Sequence, residues 1–203
     1  LEKIIKKMIL NLESKKNSIY ALLDAQTLKA KGWSIEKFIC TCKALHVKLI
    51  QYRDKDGDFK SKKENLQKIK TLCSPIPLIV NDEVELVEFC DGLHLGQEDL
   101  KKIAPIANEA ISLLRKKIGD KILGLSTHNK KEILEANTLA VDYIGLGAYR
   151  LTTTKSDATV LKESLQELIS LSLKPVAVIG GVRVDDEIEG ATYKVVGSDL
   201  YEH

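Results

Sequence analysis

Short apolar runs recur along the chain, and each ends in a polar cluster carrying glycine, amide, hydroxyl or charge. Tyr20 to Leu23, Val47 to Ile50, Leu78 to Val80, Gly92 to Leu95, Ile122 to Leu125, Tyr143 to Leu146, Val176 to Ile179 and Lys194 to Val196 have the length of buried parallel strands. The stretches between them repeat at helical spacing. Ser34 reads as the N-cap of a helix whose Ile35, Phe38, Ile39, Cys42 and Leu45 share one face. Helices are predicted over about 62–72 and 130–136, with a brief one presenting Val84, Leu86, Val87 and Cys90. Pro105 interrupts a helical region whose Ile106, Ala107, Ala110, Ile111, Leu114 and Ile118 face inward, and Leu161, Leu165, Leu168 and Ile169 mark another. Only a short helical segment fits between Val184 and Ile188. Ahead of the first strand, Ile4, Ile5, Met8, Ile9 and Leu12 form one stripe of a helix over 3–14, with lysines opposite. Its shortness favours docking on its own domain over lying on a membrane.

Eight strands alternating with helices predict parallel β/α units, which close most naturally into a TIM-type (β/α)8 barrel of the α/β class. An open doubly wound sheet would carry a glycine-rich phosphate loop after the first strand, and Tyr20 to Asp24 leads into none. Residues 1–203 are therefore expected to form a single barrel domain, with 1–18 as an N-terminal helical extension. The chain is short beside the ~250 residues usual for such barrels, so its loops are lean. It stops five residues after Ser198, which predicts a truncated C-terminal end without the eighth covering helix. Cover for the last strand is expected from the N-terminal helix together with a subunit contact, in a homo-oligomer.

Thirty-one basic and 29 acidic side chains leave a formal charge of +2, too near balance to imply a nucleic-acid or membrane partner. No apolar run approaches the ~18 residues a membrane span requires, and the N-terminus lacks a signal-peptide pattern. Cys40, Cys42, Cys73 and Cys90 show no CxxC spacing and sit in or beside apolar runs. Buried thiols in a reducing cytoplasm are expected.

The chemistry gathers around Pro77 to Asp99, where two strands each run into a carboxylate-bearing cluster. Exits of parallel strands share one face, so Asp82 and Asp99 could meet there. A pair of carboxylates suits magnesium, which completes its shell with water and phosphate oxygens. The same residues, with Asn81, read equally as ordinary helix caps. Other strand ends bring Gln51, Arg53 and Lys55; Ser126; Thr152, Thr154 and Lys155; Gly180 and Gly181; and Gly197 with Ser198. Cations, hydroxyls and bare backbone at glycine turns fit a substrate carrying more than one phosphate.

The runs QYRDKD, VNDEVEL, DGLHLGQEDL, LGLSTHN, DYIGLG followed by TTTK, and VIGG resemble, in order, the motifs of the thiamine phosphate synthase family from about Tyr20 to Ser198. The resemblance implies a transferase of thiamine biosynthesis on a barrel. Such an enzyme joins a hydroxymethylpyrimidine diphosphate to a thiazole phosphate and releases pyrophosphate, with Mg2+ as cofactor. It implies Asp82 and Asp99 as magnesium ligands. Gln51, Arg53, Lys55, Asn81, Ser126 and Lys155 would hold the pyrimidine diphosphate, within a run that also includes Tyr52 and Asp54, and Arg53, Lys55, Ser126 and Lys155 would be catalytic. Thr152, Thr153, Thr154, the backbone at Gly181, and Gly197 with Ser198 would hold the thiazole phosphate. The family reaction is expected to ionise the bond to the leaving pyrophosphate before the thiazole nitrogen attacks, so the protein's task is electrostatic. His94 would point inward, as a packed barrel histidine or a catalytic one, and His128 would position its loop. The chain departs from the pattern where Gly147-Ala148-Tyr149-Arg150-Leu151 replaces Gly-Pro and a following Pro, and the region from Gly181 to Lys194 is abbreviated. A thiazole tautomerase-like enzyme and a non-catalytic thiazole or thiamine phosphate binding protein are the alternatives. Keeping Gln51, Arg53, Lys55, Asp82, Asp99 and Lys155 together favours the synthase.

Overall fold

Side chains alternate across each strand of this chain, and the alternation sorts its apolar residues into two cores. In the computed structural model, which describes residues 17–150 and 165–203, the strands are β1 (Ser18–Asp24), β2 (Leu49–Arg53), β3 (Leu78–Asn81), β4 (Gly92–Leu95), β5 (Ile122–Thr127), β6 (Tyr143–Leu146), β7 (Val176–Val182) and β8 (Tyr193–Val196). All pair in parallel with their sequence neighbours, and β8 returns to β1, closing an eight-stranded barrel. Tyr20, Leu49, Ile79, Ile122, Tyr143, Ala177, Tyr193 and Val195 fill its interior. Alternate residues such as Leu23, Ile50, Tyr52, Leu78, Val80, Leu93 and Leu123 point outward into the larger core beneath the helices.

The helices are α1 (Ala25–Ala30), α2 (Ile35–Ala44), α3 (Phe59–Cys73), α4 (Gln97–Ile103), α5 (Ala107–Ile118), α6 (Lys130–Thr138) and α7 (Leu165–Ser170). Ser34 caps α2 as expected, accepting from the Lys37 amide at 3.2 Å. Asp58 caps α3 and starts it three residues ahead of the expected 62. Asn129 caps α6. The brief helix after β3 is a 3₁₀ turn over Val84–Phe89. Leu161 and the helix expected over 3–14 lie outside the described residues.

Several expectations change. β2 starts at Leu49 rather than Val47 and runs on through Gln51, Tyr52 and Arg53, because each of these pairs with β1, at Leu22, Leu23 and Asp24. Those residues therefore sit on a rigid strand and not in a loop. No helix forms between Val184 and Ile188; the segment is irregular and is held by buried Lys194, whose Nζ donates to the carbonyls of Val184 and of Asp186. Cys42, Cys73 and Cys90 are buried free thiols, but Cys40 is exposed, since it falls on the outward face of α2 between inward Ile39 and Cys42. After β8 the chain turns through a 3₁₀ segment, Ser198–Glu202, and buries Leu200 and Tyr201. Tyr201 packs edge-on to Trp33, with ring centres 5.1 Å apart, and lies 5.6 Å from Phe38 of α2. Leu200 and Tyr201 thus join the outer core from the segment that follows β8.

Candidate active site

The C-terminal ends of the strands meet at one mouth, where β1 and β2 supply its first pair. Asp24 and Arg53 are register partners, and the Arg53 guanidinium donates through Nη1 to Asp24 Oδ2. Asp24 Oδ1 meanwhile accepts from the amide and hydroxyl of Thr27 at 2.9 and 2.8 Å, capping α1. The pair lines an open cleft of about 460 Å³ together with Gln26, Thr27, Lys31 and Lys55. Lys55 and Arg53 thus share one wall. Parity turns Tyr52 away from it: its hydroxyl donates to Asp54 at 2.9 Å and accepts from Asn65 at 3.0 Å. Asp54 also accepts from the amides of Asp56 and Gly57, and so folds the loop that presents Lys55.

β3 and β4 bring the two carboxylates together. Asp82 Oδ1 accepts from the Gly96 amide at 3.1 Å, and Asn81 Nδ2 donates to Asp82 Oδ2. Asp82 adopts φ of 59°, a left-handed backbone that aspartate tolerates better than most residues. Asp99 lies in the first turn of α4. A β-carbon on Gly96 would stand 3.3 Å from Asp99 Oδ2 and 4.0 Å from Asp82 Oδ1, so both carboxylates border one cradle left open by the glycine. Burial raises the Asp82 pKa, and the charge of Asp99 raises it further; the Gly96 amide, Asn81 and the charge of Arg53 work the other way. Lys102 answers the excess negative charge from outside, donating to Asp99 at 2.7 Å.

The cap reading of these acids gives way. Gly96 is the N-cap of α4 and Glu83 that of the 3₁₀ turn, neither with a side-chain cap, so Asp99, Asn81 and Asp82 do not cap the elements that follow them. Among the described residues no group of three or more His, Cys, Asp or Glu could hold a metal. A two-carboxylate cradle nevertheless fits magnesium, which takes few protein ligands and fills its shell with water and phosphate.

Below the mouth, a hydrogen-bonded chain crosses the barrel interior. Gln51 Nε2 donates to the Tyr20 hydroxyl at 2.7 Å, which lies 2.8 Å from the Tyr143 hydroxyl. The latter is 2.9 Å from His94 Nδ1, and His94 Nε2 is 2.9 Å from Ser126 Oγ. Gln97 Nε2 donates to the Ser126 carbonyl at 2.7 Å and steadies the same residue from the β4 exit. Two glycines make room for the rings. A β-carbon on Gly124 would lie 2.2 Å from the Tyr143 ring and 2.5 Å from His94 Nδ1, and one on Gly145 would lie 3.0 Å from His94 Cε1. Burial lowers the His94 pKa from 6.5 to about 4 and raises those of Tyr20 and Tyr143, so all three are neutral near pH 7.

On the far side, β6 and β7 end in a clamp. Arg150 pairs bidentately with Asp186, donates to the Gly181 carbonyl at 3.0 Å and lies over the Tyr149 ring. Gly180 and Gly181 have φ of 98° and 64°, a path that side chains disfavour. Gly197 and Ser198 close the ring at the exit of β8, where a β-carbon on Gly197 would contact Leu22. Thr152, Thr153, Thr154 and Lys155 lie outside the described residues. His128 stands apart, bonded to Glu132 at the start of α6, as expected of a loop-positioning residue.

Sequence reasoning passed over Asp24, Tyr20, Tyr143, Gln97 and Arg150. The first three were legible in principle, since inward parity at Leu49 and Ile79 fixes which residues of the neighbouring strands face in. Arg150 carried no signal, because its partners come from another unit.

The whole chain, compared with known proteins, falls in with one set of relatives. Thiamine-phosphate synthase of Persephonella marina is 36% identical over 173 residues, covering 81% of this chain and 77% of that protein. The same-named protein of Ruminiclostridium cellulolyticum is 33% identical over 178 residues, covering 85% and 80%. The solved structure of thiamine phosphate pyrophosphorylase from Pyrococcus furiosus superposes with a TM-score of 0.71 over 91% of this chain and 90% of that one, at 22% identity, a likeness of fold. A family model described as thiamine monophosphate synthase matches residues 20–197, from the first inward tyrosine to the glycine that follows β8, and the chain belongs to that family.

Proposed function

We propose that this protein is a transferase that condenses hydroxymethylpyrimidine diphosphate with a thiazole phosphate, giving thiamine phosphate and pyrophosphate. The observation that carries the reading is the Asp82–Asp99 cradle at Gly96, close enough to Arg53 for that cation to act on Asp82. Magnesium bound there would supply positive charge for a diphosphate leaving group. Asp82 and Asp99 would hold it.

The remaining work falls to the chain's own residues. A guanidinium carries five N–H donors, and the Asp24 bond fixes Arg53 through Nη1 while its plane stays at the cleft wall. Arg53 and Lys55 then meet the diphosphate without having to reorganise, which is where electrostatic catalysis gains most. Lys155 would add a third cation. Gln51, Asn81 and Ser126 would orient the pyrimidine end from β2, β3 and β5. Thr152, Thr153, Thr154, the Gly181 backbone, Gly197 and Ser198 would hold the thiazole phosphate opposite. That division would hold the thiazole nitrogen ready to capture the pyrimidine carbon once its bond to pyrophosphate has ionised. Tyr52 and Asp54 would serve by shaping the Lys55 loop.

The substrates are small molecules, and among the described residues no helix is long and apolar enough to cross a membrane. The buried free thiols suit a reducing cytoplasm. A tautomerase would have no use for two carboxylates and two cations arranged around a diphosphate. The test is direct: purified protein is given both substrates and Mg2+, and pyrophosphate and thiamine phosphate are assayed together. Equal release of both products is expected. Absence of thiamine phosphate under saturating conditions sinks the reading.

A further inference from the structure

The hydrogen-bonded chain inside the barrel has a direction, and the direction ends at a mouth residue. An amide nitrogen can only donate, so Gln51 Nε2 fills an acceptor position on the Tyr20 oxygen. Either oxygen of the Tyr20–Tyr143 pair can donate, and the order that gives every proton of the chain an acceptor runs from Tyr20 to the Tyr143 oxygen and from Tyr143 to His94 Nδ1. A neutral imidazole with an accepting Nδ1 carries its proton on Nε2. That N–H donates to Ser126 Oγ. The serine hydroxyl, having received a hydrogen bond from within, is left to donate its own proton outward. Had the chain run the other way, Ser126 would spend its proton on His94 and offer only lone pairs to the mouth.

We propose that Tyr20, Tyr143 and His94 are positioning residues that set the Ser126 hydroxyl as a donor toward an anionic substrate. The inference rests on the function proposed above for its substrate, though not for the direction of the chain. Burial supports it: Tyr20, Tyr143 and His94 are buried, so water has little access to scramble the order. Gly124 and Gly145 serve the same end, since a side chain at either would push the Tyr143 or His94 ring out of line. A packing role alone needs none of these hydroxyls, whereas the positioning role needs each.

The experiment joins spectroscopy to kinetics on the full chain. Histidine is labelled with 15N, and the His94 resonances are assigned by their loss in His94→Gln. At neutral pH the Nε2 nitrogen is expected to be protonated and Nδ1 bare. The Nδ1–H tautomer would overturn the proposal without any reference to activity. Tyr143→Phe removes one hydroxyl and keeps the ring; it is expected to lower kcat about tenfold, part of the hundredfold or more that loss of a whole preorganised donor costs. In a Ser126→Ala background the same change is expected to do nothing further. Equal slowing in both backgrounds would mean a general packing defect and would overturn the proposal. Should the protein make no thiamine phosphate at all, the same cycle is read as binding of inorganic pyrophosphate by calorimetry. Weaker binding in Tyr143→Phe, abolished as an effect by Ser126→Ala, supports the positioning role even then; an effect that persists in Ser126→Ala overturns it.

Discussion

Arg53 reaches the mouth in the grip of Asp24, its register partner on the adjacent strand, and both side chains are largely shielded from water. Each oxygen of Asp24 has separate work, one on the guanidinium and one on the first turn of α1. Arg53 is thereby pre-placed before any ligand arrives.

Asp24→Asn therefore removes the charge partner and leaves one oxygen to serve both the cap and Arg53. A destabilisation of roughly 2 kcal/mol is expected, less than for a fully buried pair because Arg53 keeps some exposure. Pyrophosphate would restore a counter-charge to Arg53. The thermal shift it produces should accordingly be larger in Asp24→Asn than in the wild-type protein. A smaller or equal shift would show that Arg53 does not meet the ligand.

Asp82→Asn and Asp99→Asn are expected to cost about a hundredfold or more in rate, the scale for removing a preorganised electrostatic group. Stability should hold, because burial and the nearby Asp99 already disfavour the charge on Asp82 and the amide relieves it. Calorimetric titration of Mg2+ in the presence of pyrophosphate checks the cause. Wild-type magnesium affinity in both variants would remove these residues from any metal role.

Much of this architecture was readable from residues alone, for a physical reason. A parallel strand buried on both faces must be apolar throughout, so eight such runs stand out, and the polar residues that end them mark the mouth. Arg53 and Ser126 lie at the ends of their strands, Lys55 and Asp82 just beyond, and Asp99 in the helical turn that follows β4, for that reason, whereas Gln51 lies deeper, inside β2. What could not be read was pairing between units. That Asp24 holds Arg53, or that Tyr143 reaches His94 across β5, depends on barrel closure and register, and these are properties of contacts far apart in sequence. The start of β2 was misplaced likewise, since Val47 and Ile50 look alike as apolar residues until pairing with β1 selects Leu49 to Arg53.

His94 links the interior chain to acid stability. Its pKa in the folded protein is depressed to about 4 from 6.5, so the folded state resists protonation that the unfolded state accepts. The stability from this group is complete above the unfolded pKa of about 6.5 and is lost as pH falls toward 4, by up to about 3 kcal/mol. Urea unfolding across that range should show the decline, and His94→Gln should remove this part of it. An unchanged slope in the variant would mean that His94 protonates freely in the folded protein.

Arg150 lies in the segment that departs from the family's Gly-Pro pattern, and its guanidinium spans two chain segments. It joins the exit of β6 to the irregular stretch of β7 at Gly180 and Gly181 and, through Asp186, to the irregular segment that Lys194 pins from below. As an ion pair at a half-exposed site it contributes little to stability, on the order of 1 kcal/mol or less. Its geometry matters more. A bidentate fork fixes direction as well as distance, which a lysine ammonium cannot do. If the Gly181 backbone receives the thiazole phosphate, loosening this clamp should raise KM for that substrate severalfold and leave kcat and KM for the pyrimidine diphosphate nearly untouched. Arg150→Lys and Arg150→Ala are expected to behave alike, because what is lost is the fork and not the charge. Steady-state kinetics with each substrate varied in turn gives the answer. A lysine variant indistinguishable from wild type would reduce Arg150 to a surface charge, and an equal rise in both KM values would place its effect on the mouth as a whole rather than on the thiazole side.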